Sequence, residues 1–345
     1  MSNQIFTGAL LDTRTEEEVK KDFLFEEIVS SPAPVSWRGK TQEELRIFPV
    51  INQSSSSSCV AQTIRKMALI HNWLNEQSIL DFSATSIYTH RANKPSGGMI
   101  GVDAFNIWRK RGIALEALVP SNNMTEQAMD SLKIEPHEEA IAEHFAISGF
   151  LQPPTRDIEA IASIIQHTKK PVMVWYYFTH AEYSKLVPEI QDTSLELRGG
   201  KTSRHSVTAV DFSVLEDGRK ALLIEDSAHF GGLARRWITE DFHNERNFFA
   251  AYTMNFKYGE GDAWLPSPVP SKPKTVRFGD RGDDVVALQR RLQQLGVFPS
   301  NVTTTGYFGA ITLRAVKEFQ SQEGLVEDGI VGPKTWAELR NGLYD

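Results

Sequence analysis

Residues 259–274 run Gly-Glu-Gly-Asp-Ala-Trp-Leu-Pro-Ser-Pro-Val-Pro-Ser-Lys-Pro-Lys, with four prolines and two glycines. Each proline fixes its own φ and lacks a backbone donor, so the stretch resists helix and central strand and gives an extended, semi-rigid spacer. No single core crosses such a spacer. A chain of 345 residues already exceeds one ordinary core, and the expected organisation is residues 35–258, the linker 259–274, and residues 275–345.

Within the larger part, apolar residues recur at helical spacing around 59–76, 102–113 and 157–168. Strand-like runs come later, at 171–178, 206–212, 221–226 and 248–254. Helices first and strands afterwards predict an α+β fold, a helical half against an antiparallel β half, with a cleft between them. In the smaller part, Val285, Leu288, Leu292 and Leu295 mark one amphipathic helix, Thr312 to Gln320 a second, and Pro333 opens a third. Phe308-Gly-Ala-Ile-Thr312 recurs as Val331-Gly-Pro-Lys-Thr335, each a glycine turn followed by a helix start.

Charge narrows the function. A net charge of −7 with no basic stripe argues against nucleic acid as a partner. No window approaches the roughly 18 apolar residues of a membrane span. The start Met1-Ser-Asn-Gln-Ile-Phe lacks the basic and apolar regions of a secretory signal, so synthesis in the cytoplasm is expected. One cysteine excludes an intramolecular disulfide.

That cysteine, Cys59, stands six residues after Gln53, across five serines, and an apolar-periodic helix follows it. The layout predicts a thiol at a helix N-terminus, where unpaired backbone N–H groups favour the thiolate, and an amide able to donate to an oxyanion. The competing reading is a flexible serine linker beside a small buried hydrophobe. Of nine histidines, His205 differs from the rest because it opens the alternating strand 206–212 after a polar loop. The next strand ends in Asp226, which an antiparallel neighbour brings beside His205 to orient the ring. Strand alternation sends Glu225 to the opposite face, and His229 is discounted with it.

These segments together resemble the papain-like cysteine peptidases. The likeness runs from about Val35 to Phe256 in one collinear order: Val35-Ser-Trp-Arg; Pro49-Val-Ile-Asn-Gln53 to Cys59; Ser83-Ala-Thr-Ser-Ile-Tyr; Gly97-Gly98; Lys170-Pro-Val-Met-Val; His205-Ser-Val-Thr-Ala-Val; Ile224-Glu-Asp-Ser. The separation of Cys59 from His205 also falls within the roughly 130–150 residues usual for the family. The resemblance implies that Cys59 is the nucleophile and His205 the general base. Gln53, with the Cys59 backbone N–H, would bind the oxyanion, Asp226 would orient the histidine, and Gly97 and Gly98 would line the substrate cleft. Three departures stand out. Aspartate replaces the family's usual asparagine. Val60 and Ala228 replace two tryptophans, which predicts thinner aromatic shielding of the histidine. The family's disulfide cysteines are absent.

Residues 276–342 resemble the three-helix peptidoglycan-binding domain of cell-wall hydrolases, through Gly279-Asp-Arg-Gly282, Gly306-Tyr-Phe-Gly309, Asp328-Gly-Ile-Val-Gly332 and Thr335-Trp336 among others. The resemblance offers Tyr307 and Trp336 as wall contacts, with Trp336 equally suited to the core. Together the two resemblances imply a monomeric cysteine endopeptidase, without cofactor or metal, that cuts peptide bonds in bacterial cell wall; a phage endolysin fits the missing signal. Three alternatives stay open: a wall-anchored protease of ordinary proteins, an N-acetylmuramoyl-L-alanine amidase, and a non-catalytic wall-binding protein. Residues 1–34 are read as an arm packed on the domain, in preference to a short pro-segment over the cleft, because they are few for an inhibitory fold.

Overall fold

A computed structural model of the chain describes residues 8–15, 34–37, 48–76, 79–254, 256, 274–299 and 306–340. The expected spacer, apart from Lys274, and the amphipathic stretch Glu16 to Ile28 lie outside the described residues. The chain divides into two compact units, one of residues 1–75 and 82–257 and one of 76–81 with 258–345.

The larger unit is α+β. Its sheet has six antiparallel strands in the order β3-β8-β4-β5-β6-β7: β3 Phe150–Leu151, β4 Val172–Phe178, β5 Ser203–Val214, β6 Lys220–Glu225, β7 Arg235–Thr239 and β8 Asn247–Thr253. All seven residues of β4 are buried, which is why Val-Met-Val-Trp-Tyr-Tyr-Phe is continuously apolar and does not alternate. The helix Ile158–Thr168 lays Ile158, Ile161 and Ile165 into one core with Val172, Val174 and Tyr176. Asp157 caps its start by accepting from the Ala160 N–H at 3.1 Å, and Lys169 ends it in the left-handed region.

The helical half holds Cys59–Glu76, Ala84–Tyr88, Gly101–Arg111, Glu126–Ser131 and Pro136–Glu143. Gly112 ends the third of these at φ 73°, where a Cβ would overlap the Ala142 carbonyl. Three polar contacts tie the helix Cys59–Glu76 to the sheet: Thr63 Oγ1 to Ser206 Oγ at 3.0 Å, Lys66 Nζ to Glu225 Oε2 at 2.7 Å, and His71 Nδ1 to Thr253 Oγ1 at 3.0 Å. The first of these contacts joins the turn after Cys59 to the residue after His205, so it holds the start of this helix against strand β5.

Strand β7 and the helix Glu240–Arg246 were not legible from periodicity. Arg235-Arg-Trp-Ile-Thr reads as polar, yet Arg236 is fully buried and Arg235 pairs with Glu225 at 2.9 Å. Buried ion pairs hide a strand from a hydrophobic pattern.

The smaller unit packs the helices Asp283–Gln294, Ala310–Gln322 and Pro333–Arg340 around Leu288, Leu292, Phe319 and Trp336. The sequence repeat has a hydrogen-bonding counterpart. Gln289 donates to Thr312 Oγ1 at 2.8 Å and accepts from the Gly306 N–H at 2.9 Å; Gln320 donates to Thr335 Oγ1 at 3.3 Å and accepts from the Gly329 N–H at 2.9 Å. Each buried glutamine thereby fastens a glycine turn to the next helix start.

Candidate active site

The five serines are not a linker. Ser56 and Ser58 are fully buried. Ser56 Oγ donates to the Gln53 carbonyl at 2.7 Å and lies 2.7 Å from Ser58 Oγ. Ser54 takes a left-handed φ of 54°, and its N–H donates to Asn52 Oδ1. This closed turn delivers Cys59 to the first position of its helix. Gln53 is buried; its Oε1 accepts from Ser227 Oγ at 2.8 Å and its Nε2 donates to the Ser56 carbonyl at 2.9 Å. The Gln53 N–H donates to the Ser227 carbonyl at 2.9 Å, so the glutamine is bonded to the residue that follows Asp226.

His205 and Asp226 meet as adjacent antiparallel strands allow: β5 pairs with β6, and His205 Nε2 lies 2.8 Å from Asp226 Oδ1. Cys59, His205 and Asp226 are all fully buried. The other ring nitrogen, Nδ1, has no hydrogen bond of ordinary geometry among the described residues, and Cys59 approaches closely enough to act on the ring. Burial disfavours the imidazolium, but the charges of Asp226 and Cys59 outweigh it and raise the ring's pKa from its usual value. For Asp226 burial would raise the pKa; His205 first and Arg236 second hold it below the usual carboxylate range. His71 and His243 contrast with this. Burial drives each down to about 3, with Lys170 adding to the effect at His71. They are neutral core histidines.

Glu225 is a structural acid, paired with Lys66 and Arg235. His205 is fully buried, with Val60 and Ala228 where the family has its tryptophans. Asp226 bonds Arg236, which lies 4.5 Å from the centre of the Tyr183 ring, and Tyr183 in turn stacks on Phe178 at 3.9 Å. These rings lie on the Arg236 side of the carboxylate.

Gly97 and Gly98 form a rigid edge. The Gly98 N–H donates to Tyr88 Oη at 2.9 Å, Tyr88 donates to Glu126 Oε1 at 2.9 Å, and Asn93 Nδ2 donates to the Gly98 carbonyl at 3.1 Å. Against this edge lies the N-terminal segment. Strand β1, Ala9–Leu10, pairs in parallel with β2, Met99–Ile100, and the Met99 N–H donates to the Gly8 carbonyl at 2.7 Å. The Gly8 N–H donates to Cys59 Sγ at 3.3 Å. A Cβ on Gly8 would lie 1.8 Å from the Ser57 carbonyl. Residues 8–10 of the expected arm thus lie along the glycine edge and against the Cys59 sulfur. Leu10 borders a cavity of about 130 Å³ walled by Ile100, Trp175, Phe248 and Phe249.

Gly8 and Arg236 escape sequence reasoning, since neither lies in a motif and only tertiary contacts bring them to the site; Ser227 lies in the segment Ile224-Glu-Asp-Ser, but its bond to Gln53 spans 174 residues and is legible only in the structure. In the smaller unit Trp336 is a core residue, 1% exposed, with its indole N–H donating to the Lys274 carbonyl; burial removes it as a wall contact in this conformation. Tyr307 is partly exposed, with Arg281 stacked 4.2 Å from its ring centre.

The architecture of the larger unit is that of known proteins. Xylellain, a cysteine protease from Xylella fastidiosa, superposes with a TM-score of 0.56 at 14% identity, covering 73% of this chain and 96% of that one. Digestive procathepsin L 3 of the Tenebrio molitor larval midgut gives 0.52 at 15% identity, over 72% of this chain and 83% of that one. The fold is that of the papain-like cysteine proteases. At such identity the likeness concerns the papain-like fold alone. Residues 281–339 match the family described as "Putative peptidoglycan binding domain". The curated relatives share this part. The spore cortex-lytic enzyme of Halalkalibacterium halodurans is 42% identical over 66 residues, 19% of this chain and 19% of that protein. N-acetylmuramoyl-L-alanine amidase CwlM of Mycobacterium tuberculosis is 47% identical over 58 residues, 17% of this chain and 14% of that protein. The chain thus matches under a fifth of the length of these two relatives. No helix among the described residues is long and apolar enough to cross a membrane.

Proposed function

We propose that the protein is a latent cysteine endopeptidase directed to bacterial cell wall. The reading rests on one observation above the others: a buried imidazole lies 2.8 Å from a carboxylate, its second nitrogen takes no hydrogen bond among the described residues, and the sole cysteine is close enough to act on the ring. In this mechanism His205 takes the proton of Cys59, and the sulfur attacks the scissile carbonyl. The resulting oxyanion is met by the Gln53 amide and the Cys59 backbone N–H. The imidazolium then protonates the leaving amine, and water resolves the thioester with the same histidine as base. Asp226 holds the ring and its charge. The peptidoglycan-binding unit concentrates the enzyme on its substrate, an intramolecular gain that reaches millimolar effective concentration with short tethers. Segment 8–12 keeps the thiol covered until it leaves the cleft. A phage endolysin is the origin we propose for such an enzyme, on the strength of its wall-binding unit.

The aromatic-walled cavity supports a second reading, a wall-anchored protease of ordinary proteins. Trp175, Phe248 and Phe249 suit an apolar side chain, as Leu10 beside them illustrates, with Asp12 and Arg198 on the same lining. Purified peptidoglycan and casein, each incubated with wild type and with Cys59→Ala, separate the readings. Cysteine-dependent release of muropeptides supports the wall enzyme, and their masses name the bond, including the amidase bond. Casein cleavage with intact wall supports the anchored protease. Equal results for wild type and Cys59→Ala on both substrates sink the peptidase reading and leave a wall-binding protein.

A further inference from the structure

We propose that Arg236 is a positioning residue of the active site: its guanidinium locks the Asp226 carboxylate against His205 and supplies the charge that lets an aspartate serve there. The inference deepens the peptidase reading and rests on it.

The two oxygens of Asp226 are divided between partners. Oδ1 takes His205 Nε2 at 2.8 Å and the Ala228 N–H at 2.9 Å; Oδ2 takes Arg236 Nη1 at 2.5 Å. Both members of the Arg236–Asp226 pair are fully buried. The guanidinium cannot swing away, because its other donors go to backbone: Nε to the Tyr183 carbonyl at 2.8 Å, Nη1 to the Leu233 carbonyl at 3.1 Å, and Nη2 to the Phe230 carbonyl. Strand register delivers it, since Arg236 sits opposite Ile224 on β6, two residues before Asp226.

Charge counting gives the reason for the arrangement. A thiolate–imidazolium pair sums to zero, and a neutral amide at the orienting position keeps it there. An aspartate alone adds one buried negative charge, which grips the imidazolium proton and slows its delivery to the leaving amine. The cation of Arg236 returns the cluster to neutrality. The remaining titratable groups near the carboxylate are Cys59 and the Tyr183 hydroxyl, whose ionisation burial pushes well above its ordinary range. His180 and His229 border the same loop through the Phe230 ring and the Asp226 carbonyl.

The test is the pH profile of Cys59 alkylation by iodoacetate in the full chain, every protein compared, the wild type included, carrying Gly8→Val so that the sulfur is uncovered. An anionic reagent reacts fastest while the imidazolium is present, so the descending limb reports loss of its proton, whatever the natural substrate. Arg236→Met is expected to move that limb upward by about one pH unit. In the double variant D226N/R236M, a neutral amide replaces the carboxylate, and the limb is expected to return toward or below its wild-type position. A role confined to bracing the backbone at Tyr183, Phe230 and Leu233 predicts no such return. Superimposable wild-type and R236M profiles overturn the inference, and so does a double variant that tracks R236M. Should R236M give no cooperative thermal transition, Arg236→Gln, which keeps a donor and loses the charge, replaces it in both variants under the same expectations. A wild type with no descending limb overturns the peptidase reading itself, and this inference with it.

Discussion

The Gly8 N–H donates to Cys59 Sγ at 3.3 Å, across 51 residues of sequence. The same glycine accepts from Met99, so its peptide groups bridge the cysteine and the edge that Gly97 and Gly98 form. Cys59 is fully buried, and the Gly8 peptide is one of the groups that lie on its sulfur. The occlusion depends on residue 8 having no Cβ.

Gly8→Val is therefore expected to expel the segment, because its Cβ would overlap the Ser57 carbonyl. Iodoacetamide should alkylate Cys59 at least about tenfold faster than in wild type, the consequence of shifting the covered state by about 1.4 kcal/mol or more. An unchanged alkylation rate in a folded variant would remove the segment from any gating role.

Gln53→Ala should lower kcat by about 10²–10³ on whichever substrate is cleaved, the usual effect of losing one oxyanion donor. Cys59 should still alkylate, since the imidazole stays in place. A variant that retains full kcat would show that Gln53 serves only to bond Ser227.

Acid should destabilise the protein through its neutral core histidines. The folded pKa values of His71 and His243, about 3, lie below the unfolded value of 6.5, so the unfolded chain binds protons first as pH falls. The stability these two contribute is complete above pH 6.5 and is lost from there toward pH 3, roughly 2 kcal/mol per histidine by pH 5. His205 runs the opposite way: its raised pKa favours the folded state below the unfolded value and loses that advantage as pH rises through its folded pKa. Urea midpoints at pH 7 and pH 5 check the sign, and His243→Gln should lose about 2 kcal/mol less than wild type over that interval. Equal losses in the two proteins would exclude the histidine as a source.

In the smaller unit, Trp336→Ala should cost about 3–5 kcal/mol of that unit's stability, since a fully packed indole leaves a cavity. Tyr307→Ala should leave thermal unfolding unchanged and reduce co-sedimentation with purified wall. Undiminished co-sedimentation would assign wall contact to other residues.

The sequence by itself determined the order of helices and strands in the larger unit and singled out Cys59, His205 and Asp226 as residues that the fold brings together. Local period and spacing encode each of these: the helix predicted over 59–76 is Cys59–Glu76, and the run 171–178 is strand β4 from Val172. Adjacent antiparallel strands were enough to predict that Asp226 reaches His205. Tertiary structure alone decided what lies between distant segments. Strand β7 hid behind Arg235 and Arg236 because a buried cation looks like a surface residue until its carboxylate partner is located. The role of Gly8 could not be read locally, since a glycine carries no pattern, and its function is the space that Ser57 and Gly98 leave for it. Periodicity reports which face of an element is buried; it carries no information about which charges and which gaps meet there.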